Sequence, residues 1–191
     1  MRPLYVSNSL PVKPSPNAWP LYDVIIHGSD AVTPRHKKTQ VRCQPSMPHE
    51  IPMIRILPMS GQPKGFRGLS IEQVQTQFFL RRLPAKKGQF HYPSSGLNAP
   101  SGTLVLFQFQ ARIIASALFR RDEKFEHPLA GYAGILHFDP ASIRTFDPLD
   151  IAAMRKVWPA FRAFGHVKQR LNPTLFPKFK RQLKHVMSPS L

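Results

Sequence analysis

A chain of 191 residues with 27 Lys and Arg against 10 Asp and Glu carries a formal net charge of +17. That length allows one domain with a substantial core, or a smaller domain plus an extension, and the charge points to a polyanionic partner, nucleic acid first. The single cysteine, Cys43, excludes an intrachain disulfide and a thiolate metal cage, and no run approaches the roughly 20 apolar residues of a spanning helix.

Eleven of the 21 prolines lie before residue 66, at spacings that forbid a long helix there. Residues 1–66 read as a proline-rich extended arm, partly disordered or laid over the rest, and able to take a protein partner. Short apolar strips survive at 21–26 and 51–57, each an edge strand or a docking strip. Residues 34–38 add a small basic cluster. Pro3, Pro11, Pro14 and Pro16 spoil an amphipathic transit helix, and no secretory core precedes them. The expectation is a soluble, cytoplasmic protein with no membrane partner.

From residue 67 the texture changes, and 67–191 reads as the folded domain. Ser70 caps a short helix with Ile71, Val74 and Phe78 at helical spacing. Residues 78–83 extend that helix or form a strand, and Pro84 ends the element. A loop is expected next, with Lys86, Lys87 and Gly88 leading into Phe90, His91, Tyr92 and Pro93. Residues 103–109 are the first clear strand, rich in β-branched and aromatic residues. A turn at Ala111 and Arg112 returns 113–119 as its hairpin partner. Both are apolar on both faces in places, as in a closed barrel or beneath a covering helix.

Residues 120–128 read as charged and exposed. Strands follow at 134–138 and 143–146, the second bracketed by Asp139-Pro140 and Asp147-Pro148 turns. Asp150 caps a helix whose Ile151, Met154, Val157 and Trp158 share a face. A last strand is expected at 167–171. A final helix then begins at Asn172 and Pro173, with Leu175, Phe176, Phe179 and Leu183 on one side and Lys178, Lys180, Arg181 and Lys184 around the rest.

Four of these segments, in this order, resemble the EVE branch of the PUA-like superfamily. They are the small-residue turn and strand at 102–107, its partner at 113–118, the strand pair at 135–148 ending at a proline before a helix, and Val167-Lys168-Gln169-Arg170-Leu171 followed by Pro173. The resemblance covers about residues 68–187. It departs at Thr103, where an acidic residue is usual, and at Ala115, which replaces a glycine. It implies an α+β fold, a PUA-like, EVE-like β-pseudobarrel with flanking helices, wrapped into a small closed sheet. It further implies a DNA- or RNA-binding module that reads a modified or flipped base, as in restriction, defence or RNA-modification systems.

The candidate contacts follow from base stacking beside phosphate clamping. His91 and Tyr92 would form a stacking wall, with Arg81, Arg82, Lys86 and Lys87 holding flanking phosphates. Lys168 and Arg170, alternating around Gln169, would make twin phosphate contacts. Arg112 joins the set. Trp158, Phe107 and Phe109 read as core. No catalytic cluster, metal site or cofactor is expected: the eight histidines are dispersed, and no nucleophile-elbow or phosphate-loop pattern occurs. Two alternatives stay open. One is a small metal-independent ribonuclease using Lys86, His91, Tyr92 and Arg112, since acid–base cleavage of RNA demands no signature spacing. The other is a basic RNA-associated subunit of a larger assembly.

Overall fold

A strand that alternates apolar and polar residues normally has one wet face. In the computed structural model, which describes residues 51–59, 66–165 and 168–190, strand β3 (Leu104–Phe109) is buried at every position, Gln108 included. Its neighbours explain why. β1 (Ile54–Pro58) runs parallel on one side, pairing Ile54 with Leu104 and Leu57 with Phe107. β4 (Arg112–Leu129) runs antiparallel on the other.

β4 is 18 residues long and serves two groups of strands. Its first half pairs with β3 and with β6 (Arg144–Leu149). After a register shift between Phe119 and Arg121, its second half pairs with β5 (Tyr132–Phe138), which in turn pairs with β2 (Gln89–Tyr92). β7 (Arg170–Leu171) adds to the far side of β1. The order is β2-β5-β4-β3-β1-β7, with β6 also on β4.

This is an α+β fold built on a mixed seven-stranded sheet, and the sheet is not a closed barrel. Helices on both sides, rather than closure, bury β3. On one side lie α1 (Ile71–Gln73), a π-helical stretch (Val74–Arg82) and α2 (Leu83–Ala85). Ser70 and Gln73 form a reciprocal capping box at the start. Phe79 packs on Phe107 with ring centroids 4.8 Å apart, and Phe107 also meets Phe90 and Phe138. On the other side are α3 (Ile151–Val157), capped by Asp150 on the Ala153 amide, and α4 (Phe176–Gln182). Met154, Val157, Trp158 and Phe179 of that layer close over Ile54, Ile56, Leu104 and Leu106. Trp158 is core, its indole N–H donating to the Asn172 carbonyl at 3.0 Å.

Two local expectations change. Residues 54–58, assigned to the arm, are an interior strand: Ile54, Ile56 and Leu57 are apolar enough to be covered on both sides. Residues 89–92, expected as loop, form β2, because Gln-Phe-His-Tyr alternates and finds β5. The charged stretch at 120–128 is largely exposed, as expected, and it also continues β4. The strips at 21–26 and 34–38, Cys43 and Val167 lie outside the described residues.

One buried amide ties the layers together. Ile114 sits where the ladders to β3 and β6 both skip a residue, a β-bulge that leaves its carbonyl outside the regular ladder. Gln75, itself buried, donates Nε2 to the Ile114 oxygen at 2.8 Å and to the Phe146 oxygen at 2.7 Å. Gln75→Met keeps the volume but strands two buried carbonyls. Urea unfolding should show a loss of about 2–4 kcal/mol, at about 1–3 per unsatisfied group with partial relaxation; an unchanged midpoint would show the tether to be idle.

Candidate nucleic-acid interface

Period-two alternation decides which side chains of β2 can act together. Phe90 and Tyr92 point into the fold while Gln89 and His91 point away. Sequence neighbours proposed as one stacking wall therefore stand on opposite faces.

On the inner face, Tyr92 pairs in register with Gly134 of β5. A β-carbon at 134 would collide with the Tyr92 phenol and the Glu123 carbonyl, so only glycine lets the ring cross β5 toward β4. There its hydroxyl donates to Asp122 Oδ1 at 2.7 Å. The Leu97 amide donates to Asp122 Oδ2 at 3.1 Å. Gly96 lies flat against the same carboxylate, with no room for a side chain. Burial first, and then the hydrogen bond and charge of Asp122, push the Tyr92 phenol up to about 12.

Two cations brace this node. Lys168 Nζ donates to the Ser95 carbonyl, to Ser95 Oγ at 3.1 Å and to the Gly96 carbonyl at 2.6 Å, and lies 5.9 Å from the Tyr92 ring centre. Its three protons thus have acceptors inside the protein. Burial depresses the Lys168 pKa; Asp122 opposes that effect and Arg55 adds to it. Arg55, from β1, donates Nη2 to the Leu97 carbonyl at 3.4 Å, while its Nε is buried without a hydrogen-bond partner. The node therefore joins β1, β2, β4 and the segment before β7. A cleft of about 860 Å³ opens beside it, with Tyr92, Ser94, Asn98, Asp122, Lys124 and Phe125 among its walls.

On the outer face, the His91 ring lies 5.2 Å from that of Tyr132. Burial lowers the His91 pKa, and the nearby charges of Lys86, His137 and Arg82 lower it further. Lys86 is itself lowered, by burial and then by Arg82. His137 meets Glu123 at 2.9 Å, and Arg121 reaches the same carboxylate at 3.1 Å.

The candidates thus divide into groups. Arg82, Lys86 and His91 come together on the outer face. Tyr92 and Lys168 share the inner node. Arg81 and Lys87 are exposed beside α2, the latter in a left-handed turn with φ 53°. Gln169 donates to the Ala163 carbonyl at 2.8 Å, and Arg170 is exposed on β7. Arg112 begins β4, well before Asp122 near the middle of that strand. Sequence reading missed Arg55, Gly96, Asp122, Lys124, Phe125 and Gly134. The available signals were a lone arginine inside Ile-Arg-Ile-Leu and a carboxylate in a chain with only 10.

No family model, curated protein or solved structure matches the chain.

The raised Tyr92 pKa sets a testable pH window. Tyrosine in the unfolded chain ionises near pH 10, whereas the buried phenol keeps its proton to about 12. Its contribution to stability is therefore complete below pH 10 and lost as pH rises from 10 to 12. Gly134→Ala should displace the ring and shift the Tyr92 phenolate absorbance titration back toward 10. A Tyr92 that still titrates near 12 in that variant would refute the packing described.

Proposed function

We propose that this chain is a nucleic-acid-binding module, of the kind its EVE-like sequence features imply, which holds a base in the cleft beside Asp122. The observation that carries this reading is a carboxylate held rigidly at a cleft wall in a strongly basic protein. Two donors occupy Asp122, and a carboxylate has about four lone-pair directions, so acceptor capacity remains for a ligand. Exocyclic amino groups are the donors a base offers to such an acceptor, cytosine N4 being the usual partner. Phe125 supplies an aromatic face in the same cleft, and Lys124 a cation for an adjoining phosphate. Arg55 and Lys168 act indirectly in this reading, holding the 95–97 backbone where the cleft needs it.

Anisotropy titrations with labelled single-stranded oligonucleotides test this reading. Wild type should favour amino-bearing bases over thymine or uracil, and Asp122→Ala should weaken the favoured ligand about 10-fold or more, within the 1–3 kcal/mol of a good base contact. Identical affinity for all bases, unchanged in Asp122→Ala, would remove the cleft from the account.

One observation favours a second reading, a metal-independent ribonuclease. A histidine whose pKa is held below its ordinary value stays neutral at pH 7 and can accept a proton, and Lys86 stands by to hold the phosphate. Metal-free RNA cleavage would then rise with pH through the His91 pKa. Lys86→Met would move that rise to higher pH, since it removes a repelling charge, and His91→Ala would abolish it. Intact RNA after prolonged incubation with wild type would exclude this chemistry.

A further inference from the structure

All 10 Asp and Glu of the chain precede residue 151, while residues 151–191 hold nine Lys and Arg. The fold gathers much of this acid-free stretch into one layer. Met154 and Val157 of α3 and Phe179 of α4 turn inward to a shared core, with Trp158 and Phe179 rings 5.4 Å apart. The opposite sides of both helices are left to Arg155, Lys156, Lys178, Lys180 and Arg181, with Lys184 just past the end of α4, all exposed.

Among the described residues none of these cations meets a carboxylate. The ion pairs among the described residues involve Arg120, Arg121, His137 and His185. The contacts the six do make are with neutral groups: Arg155 donates to the carbonyls of Phe161 and Arg162, and Lys180 lies 5.8 Å from the Phe176 ring centre. Helix dipoles account for cations in a last turn, hence for Arg155, Lys156, Lys180 and Arg181. They do not account for Lys178 near the start of α4, or for the lack of any acid within residues 151–191, where the carboxylates at hand are Asp150, spent on the α3 cap, and Asp147, spent on His185 at the layer's edge. A like-charged surface repels itself and destabilises the folded state unless counter-ions or a polyanion neutralise it.

We infer that the α3–α4 layer is a second nucleic-acid contact, one that binds phosphate backbone without regard to sequence while the cleft engages a base. The inference rests on the nucleic-acid reading of the preceding subsection. It adds a surface built from different elements: the cleft lies on β2, β4, β5 and the 94–99 segment, the layer on the helices over β1 and β3. Charge without a row of exposed aromatic rings suits a duplex backbone better than unstacked single strands.

The test is the salt dependence of duplex binding, with Lys178, Lys180, Arg181 and Lys184 all changed to Gln. Each phosphate contact contributes about 0.9 to the slope of log K against log salt, so four contacts account for up to roughly 3.6. Wild-type affinity should therefore fall up to roughly a hundredfold more than the variant's between about 50 and 200 mM salt. Replacing the three lysines with arginine instead should preserve the wild-type slope, which separates charge from a folding defect. An unchanged slope in the Gln variant, with binding retained, overturns the surface but leaves the cleft. No binding by wild type at any salt overturns both. If the Gln variant loses affinity only for phosphatidylserine vesicles and not for duplex, the layer faces lipid and the inference fails.

Discussion

The register of β4 as it passes from one group of strands to another governs the rest of the molecule. Up to Phe119 the strand is a core element, apolar on both faces and locked to Thr103 and Gly102 by paired main-chain bonds of 2.9 and 2.8 Å. Beyond the shift at Phe119 and Arg121 it leaves the helical layers and becomes a polar platform with β5. A slip of one residue there would turn Glu123 inward and Asp122 outward. Tyr92 would lose its partner, and the 95–97 segment its anchor. The site is thus a consequence of how a core strand ends.

Around Asp122 the electrostatics are lopsided by construction. One carboxylate lies near Lys168, Arg55 lies near the same lysine, and both cations are spent on backbone carbonyls. The node stays ordered because its polar atoms are largely bonded to one another, the buried Arg55 Nε being the exception. Outside it, burial first and then the charge of Arg82 and its neighbours hold Lys86 and His91 below their ordinary pKa values.

Local signals were legible in the sequence wherever neighbours in the chain settle the structure. The Ser70 and Asp150 caps, the 103–109 and 113–119 hairpin and the core role of Trp158 follow from residues a few positions apart. What escaped depends on distant pairing. β1 joins β3 across about fifty residues, so its short apolar run looked like part of an arm. Phe90-His91-Tyr92 is bounded by Gly, Pro and Ser, which mimic a loop until β5 is placed beside it. Burial on both faces was visible in the strand itself, but covering helices and barrel closure leave the same trace in one strand. At the site, Lys168 was legible as a conspicuous cation, yet its engagement by Ser95 and Gly96 is a contact across 72 residues or more. The role of glycines 96 and 134 at the site escaped, because it is the space they leave to another side chain.

An open sheet has two outer strands, and each exposes main-chain donors to any extended peptide that drifts past. Here the ends of the main path are β2, four residues long and closed off by Pro93, and β7, two residues long and followed by Pro173, while the branch strand β6 has its outer side engaged by a bridge between Thr145 and Met187. Proline cannot donate to a ladder, and so short a template offers an added strand too few bonds to hold it. The fold can therefore leave its sheet unclosed without inviting lateral growth, and brevity protects its margins as closure would have done.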